Sequence, residues 1–262
     1  MAKICQLFSG SSGNSIFISE GETKLLVDAG VSAKRIENAL SQIGEDASKL
    51  SGIFITHEHA DHINGLRVLA ARHRIPVFTS DKIIGKLFSE GKINSDVHTE
   101  TAEKGAELGG IEIIPFMNSH DSVECYGYRF NLNSGRSVSV CTDTGYVTSD
   151  AIRTVTGSDL VYLESNHEVM MVENGPYHYM LKQRILSRVG HLSNVDSAEF
   201  SKHLVKNGTT RIVLAHLSRE NNHPDIARQA TVTALLGEGF EEGRDYRLAV
   251  SPPENNSHPI IL

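Results

Sequence analysis

Short apolar runs bounded by Gly, Ser, Asn and Asp alternate along this chain with stretches whose apolar residues recur at helical spacing, the pattern of an α/β protein. Strands are predicted over residues 4–8, 16–18, 24–27, 53–55, 76–79, 111–116, 126–132, 137–141, 160–163, 211–215 and 246–250. Helices are predicted over 63–73, 81–88 and 225–236, and another after Ser32, a capping residue, with Ile36, Ala39, Leu40 and Ile43 on its inner face and Gly44 ending it. Two more helical stretches flank Gly190-His191-Leu192-Ser193-Asn194, where Ser193 or Asn194 can cap the second. No Pro/Gly-rich linker or low-complexity tract divides the chain. Two strand-rich halves, each with helices, predict one domain over 1–262: two mixed sheets face to face with helices on both outer sides, an αββα sandwich in the α/β class.

Composition narrows this little, being ordinary for a globular protein at 39% hydrophobic and 22% charged. No run of about 18 apolar residues is present, so no membrane span is expected, and Met1 to Leu7 reads as a strand and not a signal peptide. Cys5, Cys125 and Cys141 are odd in number and widely spaced, which predicts reduced thiols in a cytoplasmic protein. A net charge of −7 excludes a general electrostatic grip on nucleic acid, though not a local one. Thirteen histidines point to a metal site of nitrogen and oxygen donors. Oligomeric state has no signature in the sequence.

The densest chemistry is Thr56-His57-Glu58-His59-Ala60-Asp61-His62, directly behind the apolar run at 53–55. His57 and His59, two residues apart, project to one side of an extended segment; Asp61 and His62 then come from the turn and the first residue of the next helix. One tetrahedral zinc takes three or four ligands, so the cluster suits two adjacent cations and needs completing from elsewhere. Five apolar runs end in ligand-competent residues: His57 with His59, His120, Asp143, Glu164 with His167, and His216. Strand ends are where α/β proteins place their chemistry. Convergence of these ends would set His57, His59 and His120 around one metal and Asp61, His62 and His216 around the other, with Asp143 bridging. Singly, His120 or His216 reads as an ordinary hydrogen-bonded histidine and Asp143 as a turn residue; the joint pattern favours metal. The loop Ser9-Gly10-Ser11-Ser12-Gly13-Asn14-Ser15 lacks the Lys-Ser/Thr ending of a phosphate-binding loop and opens into a strand, so it reads as a hairpin connection.

His57-Glu58-His59-Ala60-Asp61-His62, followed in order by His120, Asp143 and His216, resembles the metallo-β-lactamase fold superfamily over essentially the whole chain. The resemblance implies the αββα sandwich and a dinuclear site along the edge between its sheets. Within the superfamily the chain looks most like the YycJ/WalJ-type branch of bacterial hydrolases, through the Gly/Ser loop, Ser119-His120-Asp121, Thr142-Asp143-Thr144-Gly145, Glu164-Ser165-Asn166-His167, Gly190-His191-Leu192-Ser193-Asn194, and Leu214-Ala215-His216-Leu217-Ser218 before Asn221-Asn222. That branch is associated with DNA exonuclease activity. It implies a phosphodiesterase acting on nucleic acid, with DNA the expected substrate, in which a hydroxide bridging two divalent metal ions attacks the scissile phosphate. Zinc suits the histidine-rich set and manganese the Asp bridge.

The Gly190–Asn194 stretch resembles the Gly-His-Ser/Thr element of phosphodiesterases such as ribonuclease Z, which implies that His191 acts on the phosphate with Glu164 as its acidic partner. Expected catalytic residues are therefore Asp61, as ligand and proton acceptor, His191 and Glu164. Expected substrate contacts are His167, His191, Ser193, Arg219 and Asn222. Arg67, Arg72, His73 and Arg74, and on the other side Lys182, Arg184 and Arg188, read either as solvated helix faces or as a phosphate track. Glu58 reads as a packing residue; Asp28 reads equally as a partner for a ligand histidine or as a turn residue. Rival readings are a glyoxalase II-like thioesterase or lactonase and, from another class, a binding module that has lost catalysis.

Overall fold

The computed structural model describes residues 1–254 and 258–262. Its strands form two sheets, each of seven strands among the described residues. The first holds β1 (Ala2–Phe8), β2 (Ser15–Glu20), β3 (Thr23–Val27), β4 (Gly52–Phe54), β5 (Val77–Thr79) and β6 (Thr99–Thr101), with the short β14 (Ile260–Ile261) beside β1. The second runs in order from β7 (Ala106–Leu108) through β8 (Ile111–Met117), β9 (Tyr126–Asn131), β10 (Ser137–Cys141), β11 (Leu160–Glu164) and β12 (Arg211–Ala215) to β13 (Arg247–Val250).

The sheets meet face to face through aromatic side chains. Phe54 of β4 stacks on Phe78 of β5 (centroids 4.9 Å apart) and meets the edges of Tyr128 and Phe130 of β9 at 5.5 and 5.9 Å. The buried Tyr128 hydroxyl finds its acceptor across the interface, the Ile55 carbonyl at 2.8 Å. On the outer side of the first sheet, α1 (Ala33–Gln42), α3 (Leu66–His73) and α4 (Asp81–Ser89) add Ile36, Leu40, Leu69 and Ile83 to this core. On the outer side of the second, α5 (Ser149–Val155), α8 (Asn194–Lys206) and α9 (Pro224–Gly237) close a second core containing Phe116, Leu163, Phe200, Leu204 and Leu235. This is the expected αββα sandwich. Strands β10 to β13 are parallel, and β10 and β11 are buried along their whole length, because both faces are covered. No described helix is long and apolar enough to cross a membrane.

The elements depart from expectation in a few places. The predicted helix over 63–73 breaks into α2 (Ala60–Ile63) and α3, because Gly65 donates its N–H to the Ala29 carbonyl (2.8 Å) and presses on the Val31 carbonyl, where a Cβ would overlap. Asp61 and His62 thereby sit inside α2. Ser32 stands at the N-cap of α1 without a side-chain capping bond. β6 and β7, three residues each and partly exposed, carry too little apolar pattern to predict. The same holds for the short α5 and for α6 (Val169–Asn174), between β11 and α7 (Tyr179–Ile185).

The topology positions the site. β10, β11 and β12 are parallel neighbours, so the residues after their ends share one edge. β8 pairs antiparallel with β9, and β9 with β10, so β8 runs with β10 and delivers His120 to that edge. From the first sheet, β4 delivers the 56–62 loop.

Candidate metal centre

Strain marks the strand ends. Asp28, Asp143 and His216 all adopt left-handed backbone conformations, with φ of 63°, 60° and 56°, a conformation that costs a non-glycine residue of order 1–3 kcal/mol and persists only where the surroundings enforce it. Here they do: the Asp28 N–H donates to the Phe54 carbonyl (2.8 Å), and the His216 N–H to Ser9 Oγ (2.9 Å). Each kink turns a side chain from the strand into the space between the sheets.

One nitrogen of four imidazoles is then fixed by the protein. Nδ1 of His62 meets Asp28 Oδ2 at 2.8 Å, Nδ1 of His120 the Gly190 carbonyl at 2.9 Å, Nδ1 of His216 Glu164 Oε1 at 2.9 Å, and Nδ1 of His57 Thr56 Oγ1 at 3.0 Å. Asp28 also accepts from the Thr56 N–H and hydroxyl, so it is an orienting partner and not merely a turn residue. Tying down Nδ1 leaves Nε2 of each ring to the shared space. Four groups of potential donor atoms result, each within 4.8 Å of one another: His57, His59 and His120; Asp61, His62 and His216; His57, His62 and Asp143; and Asp143, Glu164, His191 and His216. All seven residues expected as ligands are brought together, and Asp143 belongs to groups on both sides.

The electrostatics are those of a site built for positive charge. Burial works against charge on His62 and His216, yet Asp143, Asp28 and Asp61 hold the His62 pKa well above the ordinary histidine value, and Asp143, Asp61 and Glu164 bring His216 to about 10. The same histidines outweigh the burial of Asp61 and hold its carboxyl well below the usual range. Burial and the neighbouring imidazoles push His57 well below. His57 Nε2, His216 Nε2 and Asp143 Oδ2 are buried without a hydrogen-bond partner. Orphaned buried polar atoms are costly, and each of these three residues belongs to one or more of the donor groups, offering nitrogen or oxygen of the right type for divalent cations. The donor set fits such a metal pair.

A family model described as the β-lactamase superfamily domain matches residues 23–217. The chain belongs to that superfamily. Two relatives are similar over nearly all of it. The exodeoxyribonuclease WalJ of Streptococcus pneumoniae serotype 2 is 38% identical over 95% of this chain and 93% of its own, and the exodeoxyribonuclease YycJ of Bacillus anthracis is 37% identical over 95% and 94%. The crystal structure of the metallo-β-lactamase fold protein YhfI from Bacillus subtilis superposes with a TM-score of 0.71 over 97% of this chain and 98% of that one, at 18% identity. The fold expectation therefore holds, and the clustered His and Asp residues suit the divalent metals that the superfamily implies.

Beside the superfamily's metal cluster, His191 Nδ1 meets Glu164 Oε1 at 2.8 Å. The same oxygen takes His216, while Oε2 accepts the Thr144 and Leu192 N–H groups (2.7 and 3.3 Å). Sequence reasoning paired Glu164 with His191 and missed His216. It also missed Asn14, whose amide reaches Asp61 Oδ2 (3.2 Å) and His62 Nε2 (3.0 Å), although the Gly/Ser loop that carries it was singled out. Glu58 packs as expected, accepting the Val123 N–H at 2.9 Å.

Two expected substrate contacts are buried and engaged within the protein. Ser193 is buried, and its hydroxyl caps α8 through the Asp196 N–H. Asn222 is buried, and its amide donates to the Ser165 and Asn166 carbonyls and to Asn194 Oδ1. Both are committed to joining the loops behind the site. His167 is buried too, and burial holds its pKa down to about 4, so it is neutral. Arg219 is exposed and donates to Ser12 Oγ at 2.8 Å, tying the Gly/Ser loop to the loop after His216. Of the basic residues near α3, Arg72 and His73 are spent on Glu37 of α1 (2.7 and 2.8 Å), away from a phosphate track, while Arg67 and Arg74 are exposed.

Proposed function

We propose that this chain is a metal-dependent phosphodiesterase that removes nucleotides from the ends of DNA, working as one domain in the cytoplasm. The observation that carries the reading is the His191–Glu164 pair, set against the metal cluster at Asp143, where His191 Nδ1 lies 3.8 Å from Asp143 Oδ1. A thioesterase expels a thiolate that needs no proton; a phosphodiesterase needs a group to neutralise the phosphate or protonate the leaving oxygen. The exodeoxyribonuclease names of relatives 37–38% identical support the choice of DNA.

His57, His59 and His120 would hold one divalent cation and Asp61, His62 and His216 the other, with Asp143 shared; zinc and manganese both accept these donors. Bound there, such a pair supplies Lewis-acid charge for the phosphate oxygens and an acidified water as the nucleophile. The protein does the rest. Glu164 accepts hydrogen bonds from Nδ1–H of His191 and of His216, which fixes both rings and leaves the other nitrogen of His191 for the substrate. The His191 side chain is 18% exposed, so substrate can reach it, whereas Asp143, at 2%, stays interior. Asp61, at 23%, is the more exposed carboxylate of the ligand set, on the side from which water and substrate would enter. Lys182, Arg188 and Arg219 are the cations offered to the backbone, Arg184 being paired with Asp121, with a grip that weakens steeply as salt rises.

The deciding experiment incubates metal-loaded protein with end-labelled single- and double-stranded DNA and RNA, alongside bis(p-nitrophenyl) phosphate and a thioester. Progressive release of mononucleotides from DNA is expected with zinc or manganese; hydrolysis of the thioester alone would overturn the proposal.

A further inference from the structure

Helices α6 and α7 make an excursion of the chain between Glu164 and His191, so both of its ends are anchored at the site. At one end the Glu168 N–H donates to the Asn221 carbonyl (2.8 Å); at the other the His191 N–H donates to the carbonyl of Ile185, the last residue of α7 (3.1 Å). The rest of the excursion turns apolar and aromatic side chains outward: Met170 is 60% exposed, and Tyr179 and Met180 each 71%. Nothing in the packing of the two cores requires them there. The segment also carries Lys182, Arg184 and Arg188, in a chain of net charge −7. Arg184 is held beside the site by Asp121 (3.0 Å), the residue after His120, and the Arg188 guanidinium lies 3.9 Å over the Tyr146 ring.

Exposed flat or polarizable side chains next to cations match a nucleic-acid strand, whose bases want a stacking surface and whose backbone wants positive charge. The length fits as well. Tyr179 is six residues from Ile185 along α7, roughly 9 Å at 1.5 Å per residue, the span of about three stacked nucleotides. We propose, resting on the nuclease reading above, that Tyr179 and Met180 form a stacking platform for the bases of a single-stranded substrate end, a few nucleotides from the scissile phosphate. Arg188 and Lys182 take the backbone between. The platform reads no sequence, because every base has a π-face.

The chain contains no tryptophan, so Tyr179→Trp installs a single fluorophore at the platform, and exposure of the position spares the fold. The metal-loaded variant is titrated with a slowly hydrolysed phosphorothioate single strand, and with an abasic strand of equal length. Saturable quenching by the first and little by the second is expected. Binding of a labelled strand, followed by anisotropy, weakens about tenfold in Tyr179→Ala and is kept in Tyr179→Phe. If the labelled strand binds without quenching, or Tyr179→Ala binds as tightly as the parent, the platform is wrong and the nuclease reading stands. If no nucleic acid is bound or cleaved at all, the nuclease reading fails and takes the platform with it. A concentration-dependent rise in mass that Tyr179→Ala abolishes would reassign the surface to self-association and overturn the proposal.

Discussion

Glu164 Oε1 lies 2.9 Å from Nδ1 of His216 and 2.8 Å from Nδ1 of His191, so one buried carboxylate oxygen fixes two rings on opposite duties. One ring belongs to the metal cluster and the other faces the substrate side. Burial opposes charge on Glu164, but His191 and His216 outweigh it and hold the carboxyl well below the usual range. Glu164→Gln keeps the shape and removes the charge. It is expected to lower metal affinity and turnover together, each by about 10–100-fold, the usual cost of losing a ligand's outer partner. Metal content after dialysis and the rate on DNA check it; a loss of turnover at full metal occupancy would confine Glu164 to His191.

His191→Ala separates two roles. Metal content is expected to stay at the parent level, while DNA hydrolysis falls about 10²–10⁴-fold, as on removal of a general acid. Bis(p-nitrophenyl) phosphate releases a leaving group that needs no proton, so its hydrolysis falls much less. Equal losses on both substrates would make His191 a phosphate-binding residue.

Asp28 stands behind His62 as Glu164 stands behind His216. Asp28→Asn keeps an acceptor for the His62 ring but removes its negative charge, and is expected to weaken metal binding by about 10–100-fold. Competition against a fluorescent chelator measures it, and unchanged affinity would mean that Thr56, 3.2 Å from the same ring nitrogen, suffices.

Gly30 is where the Gly/Ser loop, the β3 turn and α2 cross. Its N–H donates to the Asn14 carbonyl (2.9 Å), the Asn14 N–H donates to the Asp61 carbonyl (2.8 Å), and a Cβ on Gly30 would overlap that carbonyl. Gly30→Ala forces backbone apart and is expected to cost about 1–3 kcal/mol of stability. Metal affinity should fall with it, because Asn14 and Asp61 must separate. Chemical denaturation with and without metal checks both.

Glu45 supplies a pH dependence remote from the site. It pairs with Lys3 and Lys24, each at 2.6 Å, and these outweigh its burial to lower its pKa below the ordinary 4.5. A carboxylate with a depressed folded-state pKa contributes stability above its unfolded value and loses that contribution as pH falls through the folded one. The parent should therefore lose more stability than Glu45→Gln between neutral pH and below 4.5, the difference at neutral pH being about 1 kcal/mol. Parallel slopes of stability against pH would show that the pair contributes nothing.

The sequence by itself determined the architecture and marked the residues that cluster as candidate metal ligands. The 56–62 motif, the strand-end residues His120, Asp143 and His216, and the alternation of apolar runs with helical spacing are all local, because side-chain direction in strands and helices follows from short-range periodicity. The break at Gly65 was invisible, since it depends on the approach of residues 29–31 from an element far back in the chain. Only the tertiary structure decided which outer partner holds which ring of the cluster: Asp28 for His62, Gly190 for His120, and Glu164, already paired with His191 in the sequence, for His216 as well. It also set Asn222 to clamp the loops at Ser165, Asn166 and Asn194, whereas the Ser193 cap on α8 was legible in the sequence. Those choices are made by hydrogen bonds between residues tens of positions apart, and a pattern read along one strand or helix holds no record of what packs behind it.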